Sequence, residues 1–103
     1  MTQKEFFKIY EQLPAEGYEV DYNGVYIRFK KKNLSFCPIT AVAHKVTGSF
    51  APSLFAREAG KKLKLRKSFI ASVVLAADGI TMGSRADLVE LRTQLLKLVP
   101  KDT

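Results

Sequence analysis

The dipeptide Asn23-Gly24 constrains this chain more than any other feature. A two-residue type I′ turn needs positive φ twice in succession, and Asn followed by Gly meets that need at the least cost. The flanks agree with a turn at this point. Counting outward, Tyr22 falls opposite Val25, Val20 opposite Ile27 and Tyr18 opposite Phe29, all on one apolar face. The other face sets Asp21 against Tyr26 and Glu19 against Arg28, the latter as a cross-strand ion pair. The expected element is a β-hairpin with strands near 18–22 and 25–30, with a short third strand at 34–36 beside it. Strands this few do not hold together alone in water, so helices must cover the apolar face.

The rest of the chain supplies those helices. Thr2-Gln3-Lys4-Glu5 is a capping box, and Phe6, Ile9, Tyr10 and Leu13 follow at helical spacing up to Pro14. Pro38 suits a first turn, with Ile39, Val42, Ala43 and Val46 as an apolar stripe ending at Gly48. Pro52 is expected to open a third helix carrying Leu54, Phe55 and Ala59 and fraying near Gly60. A fourth runs from Lys67 to Asp78, with Phe69, Ile70, Val73, Val74 and Ala77 inward and Gly79 as its stop. Ser84-Arg85-Ala86-Asp87 caps the last, whose Leu88, Leu91, Leu95 and Leu98 repeat until Pro100. The expected fold is α+β, about five short helices packed on one hairpin. A chain of 103 residues has room for one core and not two, so residues 1–103 are expected to form one domain.

Several function classes are disfavoured at once. No stretch approaches the roughly 18 apolar residues of a membrane span, so no membrane partner is expected. The start of the chain lacks the apolar run and cleavage site of a signal peptide. A lone cysteine, Cys37, allows no internal disulfide, and the ligands of a metal site are missing. A cytoplasmic protein without cofactor or metal fits these features. Catalysis is not expected either: no paired carboxylates form a motif, and His44 is the one histidine. Gly79 and Gly83 flank a link between helices and do not form a phosphate-binding loop.

Charge is where the sequence speaks about partners. Residues 1–27 hold two basic against five acidic residues, and 68–103 hold four of each. Between them, 28–67 carry eleven basic residues against the single acid Glu58. Such segregation suits a polyanion, although a large net charge also serves solubility alone. Two candidate patches result. In the first, Tyr26, Arg28 and Lys30 share the outer face of the hairpin, followed by Lys31 and Lys32; an aromatic among cations suits single-stranded nucleic acid. The second comprises Lys61, Lys62, Lys64, Arg66 and Lys67.

Around that second patch the chain resembles a helix-turn-helix. Ala56 and Gly60 lie four apart on a short helix, and in that motif a small residue lets the two helices approach and glycine makes the turn. The resemblance covers about a quarter of the chain. It departs from the motif in its connection, Lys61 to Lys67, longer than the usual three or four residues. The second helix, from Ser68 to Leu75, also has almost no side chain for base edges. Phosphate contact by the lysines needs no such code.

Two further features complete the sequence picture. Cys37 precedes Pro38 and so stands at a helix start, which suits either a small apolar residue closing the helix or a reactive thiol. The last helix also carries Val89, Leu96 and Val99, the mark of a helix buried on two sides or of a docking face. Two functions follow from the sequence. The first is a small non-enzymatic nucleic-acid-binding or accessory module that meets phosphates with its basic surface. The other is a protein-interaction or regulatory factor that meets an acidic protein surface, as a monomer or as a homodimer through its last helix.

Overall fold

A computed structural model describes residues 1–48 and 55–99. The expected helix start at Pro52, its Leu54 and the stop at Pro100 lie outside the described residues. The order is α1 (Gln3–Tyr10), a 3₁₀ turn (Pro14–Glu16), β1 (Glu19–Tyr22), β2 (Ile27–Lys31), β3 (Leu34–Phe36) and α2 (Pro38–Thr47). Then come α3 (Ala56–Lys62), α4 (Lys67–Ala77), a 3₁₀ turn (Met82–Ser84) and α5 (Ala86–Leu96). The fold is α+β: five helices and an antiparallel sheet of order β1-β2-β3, with the third strand in place at Leu34–Phe36.

The capping box forms as expected. Glu5 N–H donates to Thr2 Oγ1 at 3.1 Å and Thr2 N–H to Glu5 Oε1 at 3.0 Å. That start turns Phe6 and Tyr10 into the core, where aromatic rings link three elements. Phe6 meets Phe69 of α4 edge to face at 5.4 Å, and Tyr10 meets Phe29 of β2 at 5.4 Å. The buried Tyr10 hydroxyl donates to the Leu95 carbonyl at 2.7 Å, which ties α1 to α5. Burial raises the Tyr10 phenol well above its ordinary pKa.

The hairpin register differs from the expected one. Val20 pairs with Phe29 and Tyr22 with Ile27, so the loop is four residues long, Asn23 to Tyr26. Asn23 makes the turn with its side chain: Oδ1 accepts from the amides of Val25 and Tyr26 at 2.9 and 2.8 Å. Only Gly24 of the two has positive φ, at 94°. Arg92 of α5 holds the loop from outside, with Nη1 donating to Val25 O at 3.1 Å and Ala76 O at 2.8 Å. Val25 also seats against Gly79, where an added Cβ would lie 3.1 Å from its Cγ1. Tertiary contact thus draws Val25 out of the ladder. Because strand side chains alternate with period two, a two-residue slip keeps the same residues on the same face, and Ile27 and Phe29 are buried. The ion pair moves with the slip: Arg28 faces Asp21, Glu19 faces Lys30, and the pair formed is the diagonal Lys30–Asp21 at 3.5 Å.

The start of α5 also departs from expectation. Arg85 is the N-cap residue and offers no side-chain cap. Its guanidinium instead clasps Asp87, with Nη2 2.6 Å from Oδ2 and Nε 3.1 Å from Oδ1. Leu88 and Leu95 are buried, and Leu91, Leu96 and Leu98 pack against the core, which leaves Val89 as the exposed large apolar side chain within the helix.

Candidate functional site

The helices α3 and α4 meet at Gly60 and Ile70. A Cβ on Gly60 would stand 2.3 Å from Ile70 Cδ1 and 2.5 Å from its Cγ1, so any larger residue there would force the Ile70 side chain to shift. The connection is short. Since α3 continues through Lys62 and α4 begins at Lys67, it comprises Leu63 to Arg66, four residues rather than the seven expected. Leu63 and Leu65 point into the core, while Lys64 and Arg66 face solvent. The end of α3 is a Schellman motif: Leu65 N–H donates to Gly60 O at 3.0 Å and Lys64 N–H to Lys61 O at 3.0 Å. Its left-handed position is taken by Lys64, φ 58°, where glycine is usual. The end of α4 uses the same two bonds, Ile80 N–H to Leu75 O and Gly79 N–H to Ala76 O, with Gly79 in the left-handed place.

This geometry holds the second basic patch on one helix pair. Lys61, Lys64, Arg66 and Lys67 are exposed and make no ion pair among the described residues, and neither does Arg57. Lys62 stands with them on α3 and is also exposed. Between α3 and α4 runs a groove of about 630 Å³. Its floor is apolar, made by Ile70, Ala71, Val74 and Leu75, with Phe55, 78% exposed, at one edge. Arg57, Lys61 and Lys67 form its rim, and no acidic residue lines it among the described residues. The sequence disclosed the lysines but not this floor, because Ile70 and Val74 carry the same apolar signature as core positions.

The hairpin patch has a different character. Arg28 Nε donates to Ser35 Oγ at 3.0 Å, and Lys30 pairs with Asp21. Lys31 Nζ donates to the Glu16 carbonyl at 3.0 Å and lies 4.5 Å above the centre of the Tyr18 ring. All these partners belong to the sheet or the turn before it, none to α3 or α4. Tyr26 lies in the loop, half exposed, and not among the cations of the ladder. Lys32 occupies the β2–β3 turn with φ 57°.

Beside Lys31 the fold assembles a polar cluster that the sequence did not reveal. Tyr18 Oη and His44 Nδ1 share a hydrogen bond of 2.5 Å, and the His44 ring tilts over Phe36 at 4.8 Å. Lys45 pairs with Glu16 at 3.6 Å. Burial, and then the charge of Lys31, hold the His44 pKa below its usual value, while burial and Glu16 raise that of Tyr18. His44 is thereby committed to Tyr18. Cys37, half-buried, is the N-cap of α2: its Sγ accepts from the Thr40 amide at 3.5 Å and lies 3.1 Å from Thr40 Oγ1. No three metal-ligating side chains converge among the described residues, and no described helix is long and apolar enough to cross a membrane. Comparison with protein-family models, curated proteins and solved structures finds no match to this chain.

Proposed function

We propose that this chain is a non-enzymatic interaction module whose α3–α4 face binds an acidic protein partner. One observation carries the proposal: an apolar groove lined by Arg57, Lys61 and Lys67 and, among the described residues, by no acid, the exposed Glu58 of α3 lying outside the lining. Cations without internal partners keep their Coulombic attraction for an incoming anion, and an apolar floor adds burial that a phosphate backbone cannot use. Lys64 is exposed in the turn between the two helices, outside the groove lining, and adds to the positive charge of this face.

Nucleic acid is the second reading. The four-residue turn and the Gly60–Ile70 contact favour it, since both match the spacing of a helix-turn-helix. Ala71, Val74 and Leu75 on the open side of α4 offer base edges nothing to bond, so contact would be with phosphates.

Titration of labelled polyglutamate, and of single-stranded and duplex oligonucleotides, at two salt concentrations separates the two. The acidic-partner proposal expects polyglutamate to bind in low salt, to weaken as salt rises, and to be lost from a Lys61→Glu, Lys67→Glu double variant. Absence of polyglutamate binding at low salt overturns it. Oligonucleotides binding more tightly than polyglutamate at equal salt transfer the face to nucleic acid.

A further inference from the structure

We infer that the occupant of the α3–α4 groove is an acidic amphipathic helix of a partner protein. The inference rests on the acidic-partner proposal and adds to it the shape and pattern of the ligand. Three features carry it. First, the floor is a helical strip. Ile70 and Val74 lie one turn apart on α4, as do Ala71 and Leu75, and they form the apolar bed of the groove. Such a bed matches anchors spaced i, i+3, i+4 and i+7 on an opposing helix.

Second, the floor offers no backbone. From Ile70 to Leu75 the amides and carbonyls of α4 bond within the helix and its C-terminal turn, so an extended peptide laid along them would surrender its hydrogen bonds to water and find none in exchange. A helix brings its own backbone bonds with it. Third, the rim sets the charge of the ligand. Arg57 and Lys61 stand four apart on α3, about 6 Å from each other along one face, and Lys67 stands on α4. Carboxylates spaced i, i+4 beside the anchors would meet Arg57 and Lys61 together.

The probe is a labelled synthetic helix with leucines at i, i+3, i+4 and i+7 flanked by glutamates. Two control peptides replace either the leucines by serine or the glutamates by lysine. Against the full chain, the acidic amphipathic helix should bind at least about tenfold more tightly than either control. Ala71→Gln fills the floor with a polar side chain at an exposed helical position and leaves the net charge unchanged. It should abolish the tenfold advantage while circular dichroism remains as in the parent. Equal binding of the leucine and serine peptides overturns the inference and leaves the acidic-partner proposal standing. Equal binding of the acidic and basic helices overturns the inference as well. If polyglutamate also fails to bind, both fall together.

Discussion

The two lysine-rich regions resemble each other in sequence and differ in what surrounds them. Both contain a lysine with left-handed backbone, Lys32 in the β2–β3 turn and Lys64 in the α3–α4 turn. Around β2, however, the acidic first quarter of the chain folds back on the cations. Asp21 takes Lys30, the Glu16 carbonyl takes Lys31, and the Glu16 carboxylate reaches on to Lys45. Around α3 and α4 the acid within the helices is Glu58, and Arg57, Lys61, Lys64, Arg66 and Lys67 stay without an ion pair among the described residues. Charge density along a sequence therefore does not measure the charge left for a partner. Acids and carbonyls brought near by folding decide that.

The largest expected effect tests whether α3 and α4 form one rigid face. In an open helix Gly→Ala stabilises by up to about 1 kcal/mol. At Gly60 the new methyl would meet Ile70 Cδ1 at 2.3 Å and Cγ1 at 2.5 Å, and overpacking of this kind costs about 1–3 kcal/mol. Urea unfolding of Gly60→Ala should therefore show a net loss. With Ile70→Ala added, the double variant should lose less than the sum of the singles. A Gly60→Ala variant more stable than the parent would mean that the helices stand further apart, and the groove would lose its defined width.

Arg92 tests the hairpin side. Hydrogen bonds from a charged donor are worth more than neutral ones, but Arg92 is only half-buried, so solvent screening reduces the loss in Arg92→Ala to about 1–2 kcal/mol. Amide hydrogen exchange should quicken first in the Asn23 to Tyr26 loop. Unchanged exchange there would remove Arg92 as the reason for the shifted register.

That register marks where sequence reasoning stops. Turn chemistry and alternation placed the hairpin and chose its buried face correctly, because both are local and a slip by two preserves them. The slip itself comes from Arg92, 67 positions from Val25, and from Gly79, and no local pattern encodes either contact. The same division holds at the candidate site. Lys61 to Lys67 were legible as charge, but Gly60, expected to make the turn, lies inside α3 against Ile70, and Lys64 takes the left-handed position. The length of the turn was not legible: α3 runs two residues past Gly60, a poor helix former held by its contact with Ile70. Nor was the lack of an ion pair at Lys61, Lys64 and Lys67 among the described residues, which depends on where Glu16 and Asp21 end up.

His44 gives a smaller test, again on the hairpin side. Glu16, Tyr18, Lys31 and Lys45 surround or approach it, and burial with Lys31 depresses its folded pKa. The unfolded chain then takes up a proton first, near pH 6.5. Stability should be full above that pH and decline as pH falls toward the lower folded value, because the unfolded state binds more protons in that window. The difference between parent and His44→Gln, followed by urea unfolding between about pH 7 and pH 5, should isolate this slope. An NMR titration of His44 with a midpoint at or above 6.5 would contradict it. Tyr18→Phe removes the shared hydrogen bond and should cost about 0.5–1.5 kcal/mol near neutral pH.

The smallest effect on stability bears most directly on the comparison. Lys32 and Lys64 have φ of 57° and 58°, a conformation that costs a side-chain-bearing residue about 1–2 kcal/mol and glycine almost nothing. Glycine in turn gives the unfolded chain more freedom, which returns about 0.4–1 kcal/mol. Lys32→Gly and Lys64→Gly should therefore each stabilise by a similar small amount, about 0.5 kcal/mol. Their binding should diverge. Lys64→Gly removes an unpaired charge in the turn that joins α3 and α4 and should weaken polyglutamate by about two- to fivefold, a typical gain or loss for one exposed charge. Lys32→Gly should leave binding unchanged, since Lys32, although it too makes no ion pair among the described residues, stands in the β2–β3 turn and not on α3 or α4. If both substitutions weaken binding alike, the partner spans both regions and the distinction between spent and available charge fails. If neither does, Lys64 occupies its left-handed place for no reason the partner supplies, and the binding face shrinks to the groove rim of Arg57, Lys61 and Lys67.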